Sequence, residues 1–226
     1  MRASPQAYGE AMYVPSHFVV DDPVLQLDLL RSSGFGRLVT AVGRIEATPV
    51  PFVVDDRLTS MRCHLARANG QWRDIDGAEG LLLVSVADTY VSPRWYPTKA
   101  VAGEVVPTWN YVEVHLRGTI RVHHDRAWLS GLVNELTDVF EAGVAGGEAW
   151  RMSDAPAAYL DKMLAGIVGV ELQIAAIDAK AKLSQNRPAP DRDAVQTALV
   201  DGADPRDRAV GLLMDRLGRL EGTTPA

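Results

Sequence analysis

The sequence predicts an α+β protein in which short antiparallel strands form a barrel or a sandwich with helices beside it. Consecutive β-type runs occur between Phe35 and Val122, and turn residues such as Gly43 separate them. Apolar and polar residues alternate along the last run, as they do in a strand with one buried face. Apolar residues at helical spacing precede and follow the runs, which adds the α part of the class.

The N-terminal half is predicted to hold one helix and most of the strands. The helix begins at Asp22, because aspartate is a good N-cap and Pro23 suits the first helical position, and Gly34 ends it. Five strands are then predicted: Phe35–Val42, Ile45–Val54, Leu58–Leu65, Leu81–Ala87 and Trp109–Val122.

The C-terminal half is predicted to be mainly helical. Asp125 is the N-cap of a helix whose apolar stripe extends to Phe140. A shorter helix is predicted from Ser153 to Leu164, and a sixth strand from Ile167 to Ile177. Two helices follow, over residues 193–200 and 205–220, and the second is amphipathic.

The composition excludes several classes of protein. A net charge of −6 and a pI of about 5.4 argue against a large positively charged surface that binds nucleic acid. Cys63 is the only cysteine, so one chain has no disulfide and no cysteine-based zinc site. No apolar run is long enough to span a membrane, and the N-terminus does not resemble a signal peptide. We therefore expect a cytoplasmic protein without a membrane partner.

An aromatic stretch, Tyr90–Leu116, is the most unusual part of the sequence. It holds two of the five tryptophans, three of the six tyrosines and three of the thirteen prolines. The prolines predict an irregular loop between a strand ending near Val91 and one beginning near Trp109, with no helix across its middle. Aromatic rings beside polar side chains suit a planar, polar ligand, and a dimer interface or a lid over the core is the alternative.

The predicted strand around His64 carries a second set of candidate residues. Arg62 and His64 share one face of the strand while Cys63 points to the other, so a nucleophilic Cys–His pair is not expected. A single histidine in a strand is more often structural. The polar residues that follow, among them Arg67 and Asn69, favour a ligand site, and an imidazole can bind a metal or haem iron.

A third set of candidate residues follows the predicted sixth strand. It consists of Lys182, Ser184, Gln185, Asn186 and Arg187, and prolines after it disfavour a helix. Cationic groups beside hydroxyl and amide donors suit a phosphate or carboxylate, and a solvated turn is the alternative. The sequence contains none of the common motifs for nucleotide phosphates, dinucleotides, serine hydrolases or zinc proteases.

Seven motifs together resemble the PaiB-like proteins, a family of FMN-binding negative transcriptional regulators. They are MYVPSHF at Met12, LVT at Leu38, PVPF at Pro49, HLARANGQW at His64, YVSPRWY at Tyr90, VPTWNYVEVHLRG at Val106 and KLSQNR at Lys182. These motifs occur in family order across residues 12–192, and VPTWNY with KLSQNR is a specific combination.

The resemblance implies an FMN-binding split barrel, which is a six-stranded antiparallel β-barrel with flanking helices. Such barrels are homodimers that hold flavin between subunits, and a lone half-barrel would leave the aromatic side chains exposed. Basic and hydroxyl side chains would hold the phosphate, and Lys182 would also be a catalytic candidate. The implied cofactor-binding residues are Arg62, His64, Arg67, Asn69, Ser92, Trp95, Thr108, Trp109, Asn110, Lys182, Ser184 and Gln185.

Haem b is the alternative cofactor that the resemblance implies. The family commonly has an aromatic residue before the lysine of KLSQN, and here that position is Ala181. Some similar proteins of natural-product pathways bind haem b and act as piperazate synthases, closing an N–N bond in N5-hydroxyornithine. In that case His64 would be the axial iron ligand and Lys182 a nearby base. The complete WY and WNY aromatic pairs favour the regulator-like branch.

The resemblance also divides the chain into three parts. Residues 1–11 are expected to be a flexible leader, residues 12–192 the split-barrel cofactor-binding domain, and residues 193–226 a C-terminal helical extension. Three functions stay open: a flavin-binding regulator or flavin-dependent redox protein, a haem enzyme, and a binding module. Direct DNA binding is not expected, since the chain is acidic and shows no convincing helix-turn-helix.

Overall fold

The structure is a computed structural model that describes residues 12–144 and 147–221, so the predicted leader lies outside the described residues. Six strands form a closed antiparallel barrel in the order β1–β2–β3–β6–β5–β4. The strands are β1 (Phe35–Thr40), β2 (Glu46–Val54), β3 (Ser60–Ala66), β4 (Glu79–Val91), β5 (Thr108–His123) and β6 (Ile167–Lys182). The predicted α+β class and six-stranded barrel are confirmed. The barrel closes within one chain.

Six α-helices accompany the barrel in the described part of the chain. They are α1 (Pro23–Ser33), α2 (Lys99–Ala102), α3 (Arg126–Glu141), α4 (Ala157–Ala165), α5 (Ala189–Val200) and α6 (Pro205–Glu221). The predicted start of α3 is confirmed, because the Asp125 carboxylate accepts a hydrogen bond of 2.8 Å from the backbone N–H of Trp128. None of the described helices has the length and apolarity that a membrane crossing requires.

Two predicted helix starts were wrong because of prolines. Ser153 lies in a short 3-10 turn, Met152–Asp154, and α4 begins only after Pro156, which disfavours helical backbone in the residue before it. Helix α5 begins at Ala189, earlier than predicted, because Pro190 occupies its first turn, where the missing N–H costs no helical hydrogen bond.

Two further predictions failed inside the strands and the aromatic stretch. Strand β6 ends at Lys182 rather than at Ile177, so part of the polar cluster predicted to follow the strand lies within it. The aromatic stretch does hold a loop between Val91 and Thr108, as predicted. Its middle nevertheless forms the four-residue helix α2, since the residues from Lys99 to Ala102 are free of proline and Gly103, with φ of +69°, ends the helix.

The chain divides into two structural units. The first contains Pro23–Val84 and His115–Ile177, and the second contains Ser85–Val114 with residues 12–22 and 178–221. Strands β4, β5 and β6 are long enough to contribute to both. The predicted alternation of β5 is confirmed, because Val112, Val114 and Leu116 are fully buried.

Candidate functional site

In the first unit, Arg62 lies on the face of β3 that helix α3 covers. Its guanidinium forms an ion pair of 2.7 Å with the Glu135 carboxylate of α3. His64 is on the same face, since Met61, Cys63 and Leu65 are the buried residues of the strand. The predicted separation of Cys63 from His64 is confirmed. Burial raises the pKa of the Cys63 thiol to about 12, so it is not a nucleophile near neutral pH.

His64 itself is half-buried and is not held by a hydrogen bond at Nδ1. His64 pairs across the sheet with Gly169. The Trp128 ring of α3 packs against Gly169 so closely that a Cβ atom added to this glycine would lie 2.1 Å from the ring. The Nδ1 atom of His64 is buried without a hydrogen-bond partner. Burial lowers the pKa of His64 below its ordinary value, because an imidazolium is poorly solvated there.

The other two candidates of the first unit make structural hydrogen bonds. The Arg67 guanidinium donates to the carbonyl oxygens of Ala165 and Ile167, at 2.8 and 2.9 Å, and so joins the end of β3 to the start of β6. The Asn69 side chain accepts from the backbone N–H of Gln71 at 3.0 Å and donates to Thr48 Oγ1 at 2.8 Å. Both side chains shape the local backbone.

In the second unit, Lys182 is the centre of the C-terminal cluster. Its ammonium group donates to Thr108 Oγ1 at 2.7 Å and also to the carbonyl oxygen of Trp109. The ring of Tyr111 lies 6.0 Å from Lys182 Nζ. The structure therefore brings together three of the residues predicted from distant parts of the sequence, and it adds Tyr111 beside them.

Three cations form what we call the cationic cluster: Lys180, Lys182 and Arg187. Lys180 is only 8% exposed, and its Nζ donates to the Tyr13 carbonyl oxygen at 2.8 Å and lies 5.4 Å from the Tyr111 ring. The pKa of Lys182 is lowered by burial first and then by the charges of Lys180 and Arg187. Within residues 12–144 and 147–221, none of the three forms an ion pair with a carboxylate.

Three further predicted residues build the turn behind the cationic cluster. Asn110 is fully buried and exchanges hydrogen bonds with the Ser184 hydroxyl, at 3.0 and 3.2 Å. Ser184 has φ of +67°, a left-handed conformation that is rare for a residue with a side chain. The Gln185 side chain accepts from the Leu183 N–H and donates to the Ala181 carbonyl oxygen, each at 2.6 Å. These bonds fix the backbone that carries Lys182.

The remaining predicted residues lie in the aromatic stretch. The Ser92 hydroxyl caps the 3-10 turn Pro93–Trp95 by accepting from the Arg94 N–H at 3.3 Å. Trp95 and Trp109 line a cavity of about 290 Å³ within the second unit. Trp109 is 52% exposed, so its ring is available to a ligand or a partner.

Two contributors to this cluster, Lys180 and Tyr111, were not among the predicted cofactor-binding residues. The sequence held a signal for Lys180, because residues two apart in a strand share a face, and Lys180 stands two before Lys182. The signal was lost when the strand was predicted to end at Ile177. No group of three potential metal-ligating side chains occurs in the part of the chain that the structure describes.

The sequence matches known proteins over most of its length. Residues 12–176 match the family described as "Putative FMN-binding domain". Protease synthase and sporulation protein PAI 2 of Bacillus subtilis is 30% identical over 215 residues, which cover 90% of this chain and 97% of that protein. An uncharacterised protein of Aspergillus fumigatus is 31% identical over 236 residues, with coverage of 83% and 88%.

Solved structures resemble the fold at lower sequence identity. The flavocytochrome Anf3 from Azotobacter vinelandii has a TM-score of 0.55 at 17% identity, covering 78% of this chain and 76% of that one. A conserved hypothetical protein from Mycobacterium tuberculosis has a TM-score of 0.52 at 15% identity, with coverage of 78% and 94%. At these identities the likeness concerns the fold alone.

Proposed function

Because the chain belongs to the PaiB-like family of FMN-binding domains, we propose that it binds a flavin nucleotide, FMN, and acts as a flavin-dependent redox or regulatory protein. The bound flavin would supply reversible electron transfer at its ring system. The side chains of this protein would bind and orient the nucleotide, and the cationic cluster would hold its phosphate.

The observation that carries the proposal is the unbalanced positive charge of the cationic cluster. Charged side chains that are buried as deeply as Lys180 are normally paired with an opposite charge. Here a second lysine and an arginine stand nearby instead, and the pKa of Lys182 is lowered by burial first and then by these two positive charges. A phosphate group would relieve that repulsion and accept charge-assisted hydrogen bonds.

The neighbouring groups suit the rest of a flavin nucleotide. The Thr108 hydroxyl, which accepts from Lys182, retains its own hydrogen to donate to a phosphate oxygen. Tyr111 presents an aromatic ring beside the two lysines. Such a ring flanks a flat cofactor well. We place the phosphate end of the flavin at Lys182 for these reasons.

Haem b is a weaker candidate for this chain. A histidine that ligates iron is normally oriented by a hydrogen bond at its other ring nitrogen. The Nδ1 atom of His64 is buried and lacks such a partner. The missing hydrogen bond at His64 weakens the case for an iron ligand, so we propose flavin ahead of haem b.

We propose a homodimer and no direct contact with DNA. The family resemblance supports the dimer, and the exposed side chains of Val101 and Val106 in the second unit provide apolar surface that a second copy could cover. A regulatory role would then act through the flavin or a protein partner, because the net charge of −6 disfavours a strong attraction to the DNA backbone.

The test is a titration of FMN and of riboflavin, which has the same ring system without the phosphate, into wild type and Lys182→Ala. Loss of Lys182 should weaken FMN binding by about 1.5–3 kcal/mol, the value of a hydrogen bond to a charged group, or roughly ten- to hundredfold. Riboflavin affinity should change little. Flavin fluorescence quenching gives both constants.

Lys162→Ala is the matched control, since Lys162 is an exposed lysine of α4 in the first unit. It should bind FMN with the affinity of wild type. If Lys182→Ala binds FMN as tightly as wild type, or loses FMN and riboflavin equally, Lys182 does not hold the phosphate. If wild type binds neither compound, the flavin proposal itself is wrong.

A further inference from the structure

A cavity of about 290 Å³ lies in the second unit. The end of β4, the 3-10 turn Pro93–Trp95, the start of β5 and the start of α6 form its walls. Its volume is at the lower end of the range for small-molecule sites. The lining residues are Asp88, Thr89, Tyr90, Trp95, Trp109, Asp204, Arg206 and Asp207.

Three aromatic rings give the cavity its first recognition element. The rings of Tyr90 and Trp109 meet edge to face, with centroids 6.2 Å apart and an interplanar angle of 75°. They are 45% and 52% exposed, although large aromatic side chains are usually covered. Trp95 adds a third ring from the 3-10 turn. Open aromatic faces attract cations through the ring quadrupole.

The charges of the cavity point to the same kind of ligand. Three carboxylates line it against one guanidinium, which leaves two negative charges. Arg206 pairs with Asp204 at 2.9 Å, and Asp207 accepts a hydrogen bond from the Thr89 hydroxyl. Asp88 accepts no hydrogen bond in the described part of the chain, and it shares the exposed face of β4 with Tyr90. Its charge acts on Arg206, and its exposed position leaves it accessible to a ligand.

This combination does not suit the flavin phosphate, which the carboxylates would repel. We propose that the cavity binds a small organic cation, either a quaternary ammonium compound or a protonated amine. The ammonium group would lie against Tyr90 and Trp109, with Asp88 as its counter-charge. The site goes beyond flavin binding, because it uses side chains of opposite charge to the cationic cluster.

Choline is the probe, and its neutral isostere 3,3-dimethylbutan-1-ol is the control, since the two differ only in the charged nitrogen. Tryptophan fluorescence and isothermal titration calorimetry of the full chain, with and without saturating FMN, measure binding. Choline should bind and quench the tryptophan fluorescence, and the alcohol should bind at least several-fold more weakly. Equal affinity for the two compounds, or no choline binding at millimolar concentration, would overturn the proposal.

Two variants locate the site, and one serves as a control. Tyr90→Leu should weaken choline binding by roughly two- to fivefold, the range for an exposed cation–aromatic contact. Asp88→Asn should weaken it by roughly 1.5- to fivefold, the range for an exposed ion pair. Asp201→Asn removes the same charge from the end of α5, outside the cavity, and should bind choline as wild type does. An equal loss of choline affinity in Asp201→Asn would show that the affinity depends only on the overall negative charge, and it would contradict the proposed site. Flavin affinity is measured on the same samples, so a failure of one proposal leaves the other tested separately.

Discussion

At the residue scale, His64 is a histidine whose environment favours the neutral form. Burial lowers its pKa below the ordinary value of 6.5, and its Nδ1 atom has no hydrogen-bond partner. The unfolded chain therefore binds a proton more readily than the folded protein does. Stability that is present above about pH 6.5 is lost as the pH falls through the lower pKa of the folded state.

His64→Ala tests this account of the residue. The free energy of unfolding of wild type should fall more steeply between pH 7 and pH 5 than that of the variant, because the variant lacks the protonation of His64. FMN affinity should fall by no more than about 0.5–1.5 kcal/mol, the net value of one hydrogen bond. Denaturant unfolding at several pH values and a flavin titration give the two readouts.

His124→Ala is the control, since His124 is an exposed histidine of the same unit. It should bind FMN with the affinity of wild type. A His64→Ala protein with an unchanged pH dependence would show that His64 does not resist protonation. Loss of a Soret band from the purified protein on the same substitution would instead identify His64 as a haem ligand.

At the element scale, helix α5 is tied to the aromatic stretch by one buried carboxylate. Asp191 is 1% exposed and accepts two hydrogen bonds from Thr98, from its N–H at 3.1 Å and from its hydroxyl at 2.7 Å. The ring of Tyr96 adds a contact 5.0 Å from the Arg187 guanidinium. Helix α5 therefore belongs to the second unit by its contacts as well as by its position in the sequence.

Asp191→Asn should loosen the loop that contains α2. An asparagine offers one acceptor oxygen instead of two and carries no charge, so at least one charge-assisted bond is lost, at a cost of about 1.5–3 kcal/mol. Trypsin should cleave after Lys99 faster in the variant, and timed digestion followed by mass spectrometry measures the rate. Asp193→Asn, an exposed change on the same helix, should be cleaved as slowly as wild type. Equal cleavage rates in all three proteins would contradict the proposed role of Asp191 in holding the loop.

The elements that the sequence predicted well are those with strong local signals. Asp125 at a helix start and the alternation through Val114 are examples, because capping and a single buried face are decided by neighbouring residues. The extension of β6 to Lys182 was missed because long-range pairing supports it, including a bridge between Val19 and Lys180. No local pattern reveals such a partner.

The candidate site was predictable in part for the same reason. The motif resemblance named Lys182 and Thr108, and the structure joins them by a hydrogen bond. The resemblance could not distinguish side chains that face a ligand from side chains that hold the backbone. Gln185 is one of the latter, because its side chain makes two hydrogen bonds to the backbone of its own turn. That distinction depends on geometry that the order of residues does not contain.

At the scale of the whole molecule, the barrel is closed within a single chain in the order β1–β2–β3–β6–β5–β4. A partner is therefore not needed to complete the sheet, and the meeting of Lys182 with Trp109 also occurs within one chain. The proposed homodimer depends instead on the family resemblance and on the exposed apolar side chains of Val101 and Val106 in the second unit. Its role would be to cover that apolar surface and the bound cofactor.

Native mass spectrometry of the purified protein, before and after incubation with excess FMN, tests the central claim most directly. It reports the subunit number and the mass of any bound cofactor in one spectrum. We predict a dimer that carries one FMN per subunit, and a spectrum of the Lys182→Ala protein in which the FMN-bound species is depleted. A protein that carries the mass of haem b, or one that takes up no FMN from the excess, would contradict the account.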